Sequence, residues 1–229
     1  MLDKAQYARI KEAVTAANKI PFIDDIEDYI WESIWAYSQG LENPPRDRKK
    51  LLFDVVDTSN KIGWSAKTLV WPKNSGSCEF VIQRADVIKK KELLGFPHLS
   101  IEESEPQEIG NAILKHWIQK IEIDMTIQNV EEPRLALLLK SKDRKIIYPY
   151  EEEIIIPKYE DITWSWTSPT KTSLQGRNYA GKIRYRWYKN QKQLFESFDL
   201  SDTAYPIEVT QQIFDVSNLI NLLTPTKLK

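Results

Sequence analysis

The chain has 229 residues, 41% hydrophobic and 28% charged, with a formal net charge of −1. That length supports one domain with a real core, the composition fits a globular protein, and the charge balance excludes a chain coated in positive charge. A single cysteine, Cys78, excludes an internal disulfide and any cysteine-built zinc site.

In chain order, residues 3–19 are good helix formers without Pro or Gly and predict a helix that ends at Pro21. Asp24 or Asp25 is placed to cap a second helix through about Ser38, with Ile26, Ile30, Ile34 and Tyr37 as its apolar stripe. Gly40 and "NPPRDRKK" stop it. Three strands follow, roughly 51–57, 63–71 and 78–88, separated by "TSNKI" and "PKNSGS". Residues 106–124 predict an amphipathic helix, with Pro106 in its first turn and Ile109, Ile113, Trp117 and Ile121 along one face. "PRLALLLKS" reads as a buried strand, and "SKDRK" turns it into "IIYPY".

A three-strand meander, a helical crossover and a returning strand predict an α/β (α+β) fold with a central mixed sheet flanked by helices. Residues of about 150–200 are richer in aromatics and turns. They predict a β-rich lobe within one domain spanning 1–229, including a hairpin of "KIRYRWYK" and "KQLFESF" joined through Asn190-Gln191. "TQQIFDVSNLINLL" predicts a last helix. No apolar run is long enough to cross a bilayer, and "MLDKAQYARIKEAV" lacks a signal-peptide stretch, so the expected location is the cytoplasm.

The stretch "FDVVDTSNKIGWSAKTLVW" carries the chemistry. A hairpin places Asp54 and Lys67 on neighbouring strands, and Ser65 and Lys67, two apart, share a sheet face. A carboxylate holds a hard cation through oxygen, and an ammonium steadies phosphate charge. Such a pair suits metal-assisted phosphodiester hydrolysis with Mg²⁺. Glu79, near the start of the next strand, offers a second carboxylate if the meander brings it beside Lys67. Asp57 is a rival to Asp54, and Glu32 on the second helix is a further acid within possible approach. Acid and lysine on adjacent strands also occur as an ordinary solvated cross-strand pair.

An acid on one strand, a short turn and then x-x-Lys resembles the PD-(D/E)xK nuclease superfamily, whose αβββαβ core order is similar to that of residues 24–140. Phe53 stands where that family often has Pro. Ser65 stands in place of the second acid, as in type II restriction endonucleases with a Ser-x-Lys variant, where a later glutamate takes over the metal. The resemblance implies Asp54 and Glu79 as metal ligands with the Ala66 carbonyl, Lys67 as the electrostatic catalyst and Ser65 as a polar supporter. It also implies Mg²⁺ as cofactor, double-stranded DNA as substrate and a homodimer on a palindromic site.

Between Asp161 and Glu196 the sequence has no acidic residue. Lys171, Arg177, Asn178 and Lys182 in that interval, with Arg184, Arg186 and Lys189, suit phosphates and base edges. Arg184 and Arg186 alternate with Tyr185 and Trp187, which predicts one cationic and one aromatic face. Gln83 and Arg84, soon after Glu79, are expected near the scissile phosphate. The bland alternative is an edge hairpin protected by charge. The "KKKE" run at 89–92 reads first as a solvated helix start and second as a contact to the nucleic-acid backbone. No Walker A loop or GxGxxG is present, so no nucleotide cofactor is expected, and His98 and His116 are too scattered for a histidine metal centre. The expected function is a sequence-specific double-stranded DNA endonuclease. The rivals are a DNA-binding module without catalysis and a protein-interaction domain.

Overall fold

A computed structural model describes residues 2–20, 23, 25–43, 51–71, 77–199 and 205–209. The described chain is an α+β protein with three α-helices and two five-stranded sheets. α1 (Lys4–Ala17) starts at an Asp3–Gln6 capping box, and α2 (Asp28–Gln39) ends at Gly40, whose left-handed backbone suits glycine. The expected apolar stripe of α2 is shifted. Trp31 and Trp35, one turn apart, carry more apolar surface than the isoleucines and set the buried face together with Ile34 and Ser38, while Tyr37 is exposed. The helix starts behind Glu27 without a side-chain cap. Asp25 instead pairs with Lys140, and Asp24 lies outside the described residues.

The first sheet runs β1 (Val55–Asp57), β2 (Ile62–Val70), β4 (Glu132–Lys140), β5 (Ile146–Glu153) and β10 (Ile207–Glu208). β1 and β2 form an antiparallel hairpin, and β2 is parallel to β4. Parallel neighbours need a crossover, which α3 (Pro106–Gln128) provides. The mixed sheet expected from the element order is therefore present. The three-strand meander is not. β3 (Ser77–Arg84) leaves β2 and joins a second sheet as the antiparallel neighbour of β9 (Gln193–Asp199). That sheet continues through β8 (Ile183–Tyr188) and β7 (Ser173–Arg177) to β6 (Thr163–Trp166). The expected β8–β9 hairpin forms, whereas the expected C-terminal helix falls outside the described residues.

α1 and α2 cover one face of the first sheet, where Ile10, Val14 and Trp35 meet Val55, Trp64 and Leu138. α3 and the second sheet cover the other, where Ile113, Trp117, Trp187 and Phe198 meet Leu135, Leu137 and Leu139. The closest seam is α3 against β6. A Cβ at Gly110 would lie 2.1 Å from Trp164 Cγ, so only glycine admits the ring. Tyr150 stacks on Phe198 at 6.1 Å and ties the two sheets together directly.

Candidate active site

Asp54 is held from behind. Phe53 is buried against Gly63, where a Cβ would lie 2.7 Å from Phe53 Cγ and 2.7 Å from Val130 Cγ2. Gln128, at the end of α3, receives the Phe53 N–H and donates to the Phe53 carbonyl at 3.2 and 2.8 Å. One turn earlier, buried Asp124 accepts the Leu52 N–H at 2.6 Å. The crossover helix thus fixes the backbone immediately before Asp54.

The ladder between β1 and β2 runs out there. Asp54 donates its own N–H to the Trp64 carbonyl at 2.7 Å. The next groups on that edge of β2, the amide and carbonyl of Ala66, have no strand opposite them among the described residues. Side chains take its place. The Asp54 carboxylate accepts the Ala66 N–H at 2.8 Å, and Lys67 Nζ donates to the Ala66 carbonyl at 2.9 Å. Lys67 Nζ also approaches Asp54 Oδ2 at 3.4 Å. A carboxylate, a main-chain carbonyl and an ammonium meet on one free strand edge, with Asp54 and Lys67 partly open to solvent.

No motif in the sequence marks the next residue on that edge. Asp28, in the first turn of α2, accepts both the N–H and the hydroxyl of Thr68 at 2.8 Å each. Alternate residues of a strand point their amides to the same side, so the Ala66 carbonyl lies between the Asp54 and Asp28 carboxylates. Glu32 is one turn beyond Asp28 on the same helix face.

The structure separates the two rival aspartates. Asp57 accepts the N–H groups of Ser59 and Asn60 and the Asn60 side-chain amide, which pulls its carboxyl below the usual range and closes the hairpin turn. Ser65 is buried on the inner face, beside Leu135 of β4. Glu79 does not join the group. Cys78 and Phe80 on either side of it enter the core, so Glu79 points out of the second sheet, where Ser197 Oγ and Arg186 Nη1 each lie at 3.4 Å. The cause is the strand exchange: β3 pairs with β9, not β2. Among the described residues no three acids, histidines or cysteines are grouped to hold a metal.

The acid-free segment is neutralised in part by acids from elsewhere in the chain, and its other cations donate to main-chain carbonyls. Lys182 pairs with Asp199 at 3.0 Å and Lys189 with Glu102 at 3.4 Å. Lys171 donates to the Ile101 and Glu102 carbonyls. Arg177 donates to the Gly181 carbonyl, and Asn178 accepts the Ala180 and Lys182 N–H groups, so both build the β7–β8 turn.

Tyr185 and Trp187 form the buried aromatic face as expected, but Arg184 and Arg186 do not share the other. The register slips between Gly176 and Arg177, making Arg184 an extra residue, and the bulge turns it inward with Tyr185 to pair with buried Glu196. Burial, with Glu152 nearby, pushes the Glu196 carboxyl up to about 7 against the pull of Arg184. Gln83 donates to the His116 carbonyl at 3.4 Å from beneath the second sheet. Arg84 is exposed at the end of β3.

No helix among the described residues is long and apolar enough to cross a membrane. No family model, curated protein or solved structure matches the chain.

Proposed function

We propose that this chain is a Mg²⁺-dependent endonuclease that hydrolyses phosphodiester bonds of double-stranded DNA at the free edge of β2. The observation that carries the reading is the meeting of Asp54, the Ala66 carbonyl and Lys67 on that edge. Asp54 and the carbonyl are hard oxygen donors of the kind Mg²⁺ takes, together with water and phosphate oxygens. Asp28, not Glu79, is the second carboxylate on this edge. Bound Mg²⁺ supplies a Lewis acid and a water of lowered pKa. Lys67 stabilises the charge that develops on the phosphate, and Asp54 orients the donors around it. The similarity to PD-(D/E)xK nucleases supports this assignment for Asp54, Ala66 and Lys67. A palindromic site would be met by a homodimer.

The second reading is a DNA-binding module without catalysis. It is favoured by the same hydrogen bonds, because Asp54 and Lys67 already satisfy the Ala66 amide and carbonyl and so cap a strand end without any ligand.

Plasmid cleavage with Mg²⁺ decides between them. Lys67→Ala is expected to lose about 100-fold or more of the parent's rate. Asp54→Asn keeps an oxygen for the Ala66 N–H, so it should fold like the parent and still fail to cut. Equal cutting by parent and both variants overturns the site. Retention of DNA by a parent that never cuts supports the module.

A further inference from the structure

We infer that the cleft between residues 84–90 and the β8–β9 turn is a phosphate-backbone contact for nucleic acid, in place of the strands and turns of the acid-free segment at 171–186. This rests on the reading of DNA as partner, but not on catalysis.

Two depressions of about 480 and 530 Å³ lie on either side of the Asp86–Lys192 ion pair, which lines both. Arg84, Lys90, Gln191 and Gln193 line the first, and Lys89, Lys189 and Asn190 line the second over an apolar floor of Ile88, Ile101 and Trp187. Four cations, Arg84, Lys89, Lys90 and Lys192, therefore surround one carboxylate, Asp86. The contrast with the neighbouring segment is in the partners. Lys182, Arg184 and Arg186 each face a carboxylate of their own, as does Lys189 in the second depression, with Glu102. Lys90 is placed differently: its ammonium lies 2.6 Å from His116 Nε2 on α3. Burial and the Lys90 charge push that imidazole down to about 4, so at neutral pH it accepts the hydrogen bond and offers no negative charge. Lys90 is thus fixed in direction but not neutralised.

The cleft is concave and carries side-chain amides between its cations. Amides and cations together recognise phosphate oxygens, the amides by hydrogen bonds and the cations by releasing counterions. The hairpin turn that forms one wall is narrow enough to follow a groove.

The test is binding of a labelled 20-base-pair duplex to the full chain in EDTA, over a range of salt. Arg84→Ala combined with Lys89→Ala and Lys90→Ala should weaken binding at least tenfold and lower the salt slope by about 2 to 3. Lys182→Ala combined with Arg186→Gln should stay within twofold of the parent. Asp86→Asn removes the carboxylate that lines both depressions and should tighten binding about threefold, a gain that misfolding cannot mimic. Unchanged binding by the triple variant, or no gain with Asp86→Asn, overturns the cleft while leaving DNA as partner. A parent that retains no duplex at low salt overturns both. Displacement of the duplex by submillimolar inorganic phosphate would assign the cleft to a small anion and overturn the backbone contact.

Discussion

The two sheets handle charge in different ways. In the first, charged groups gather at a strand edge. β1 begins only at Val55, and the β2 amides beyond its reach are answered by the carboxylates of Asp54 and Asp28 and the Ala66 carbonyl by Lys67. In the second, charged groups pair with one another, Arg186 with Glu79 and Lys182 with Asp199. An edge offers unpaired backbone, so its side chains keep main-chain partners and some access to solvent. A face offers only other side chains, so opposite charges cancel there. The difference teaches where a ligand can enter: at the edge, the oxygen atoms are already assembled, whereas on the face the cations are already spent.

The sharpest way to break the comparison is to pry the sheets apart. Gly110→Ala places a methyl group inside Trp164 and should cost about 3 kcal/mol or more, read by calorimetry. Gly176→Ala, where the nearest atom is 2.8 Å away at Ile162 Cγ2, should cost less.

A second effect concerns buried titration. Folded Glu196 keeps its proton to about pH 7, against 4.5 when unfolded, so its contribution is full below pH 4.5 and fades as pH rises to 7. His116 works in reverse. Its imidazole falls from 6.5 to about 4, so its contribution is present above pH 6.5 and is lost as pH drops toward 4. Each is worth on the order of 3 kcal/mol, and they oppose each other across the same window. The parent should therefore show a shallow urea-stability profile between pH 4.5 and 6.5. Glu196→Gln should make stability rise with pH there, and His116→Gln should make it fall. Parallel profiles for the parent and both variants would contradict this balance.

A smaller effect separates the aspartates. Asp57→Ala loses the turn bonds to Ser59 and Asn60 and should cost about 1 kcal/mol with DNA cutting unchanged, the opposite of Asp54→Asn. The smallest is Lys182→Ala, an exposed pair that should move stability by less than about 0.5 kcal/mol.

Much of the frame was legible in the sequence because it is local. The four-residue steps of Ile109, Ile113, Trp117 and Ile121 all enter the core. The Asp54–Lys67 approach followed from a hairpin, which is also local. What failed was pairing at a distance. Periodicity marks about 78–88 as a strand, but nothing in it names β9, more than a hundred residues away, as the partner, and Glu79 went with it. Arg184 turned inward because a bulge is a property of two strands, not one. The acid-free segment misled for the same reason: Glu79 and Glu102, which neutralise part of it, are far away in sequence and close in space. Asp28 reached the edge of β2 only through the packing of α2.

The glycine that seats Trp164 also bears on modularity. A fragment holding only residues 158–199 would keep four strands of the second sheet, yet lose β3 from one border and the helix beneath β6. Its tryptophans would stand in water without their covering surface. Neither sheet can be transplanted alone, and any chimera built from this chain has to carry the crossover helix with whichever half it borrows.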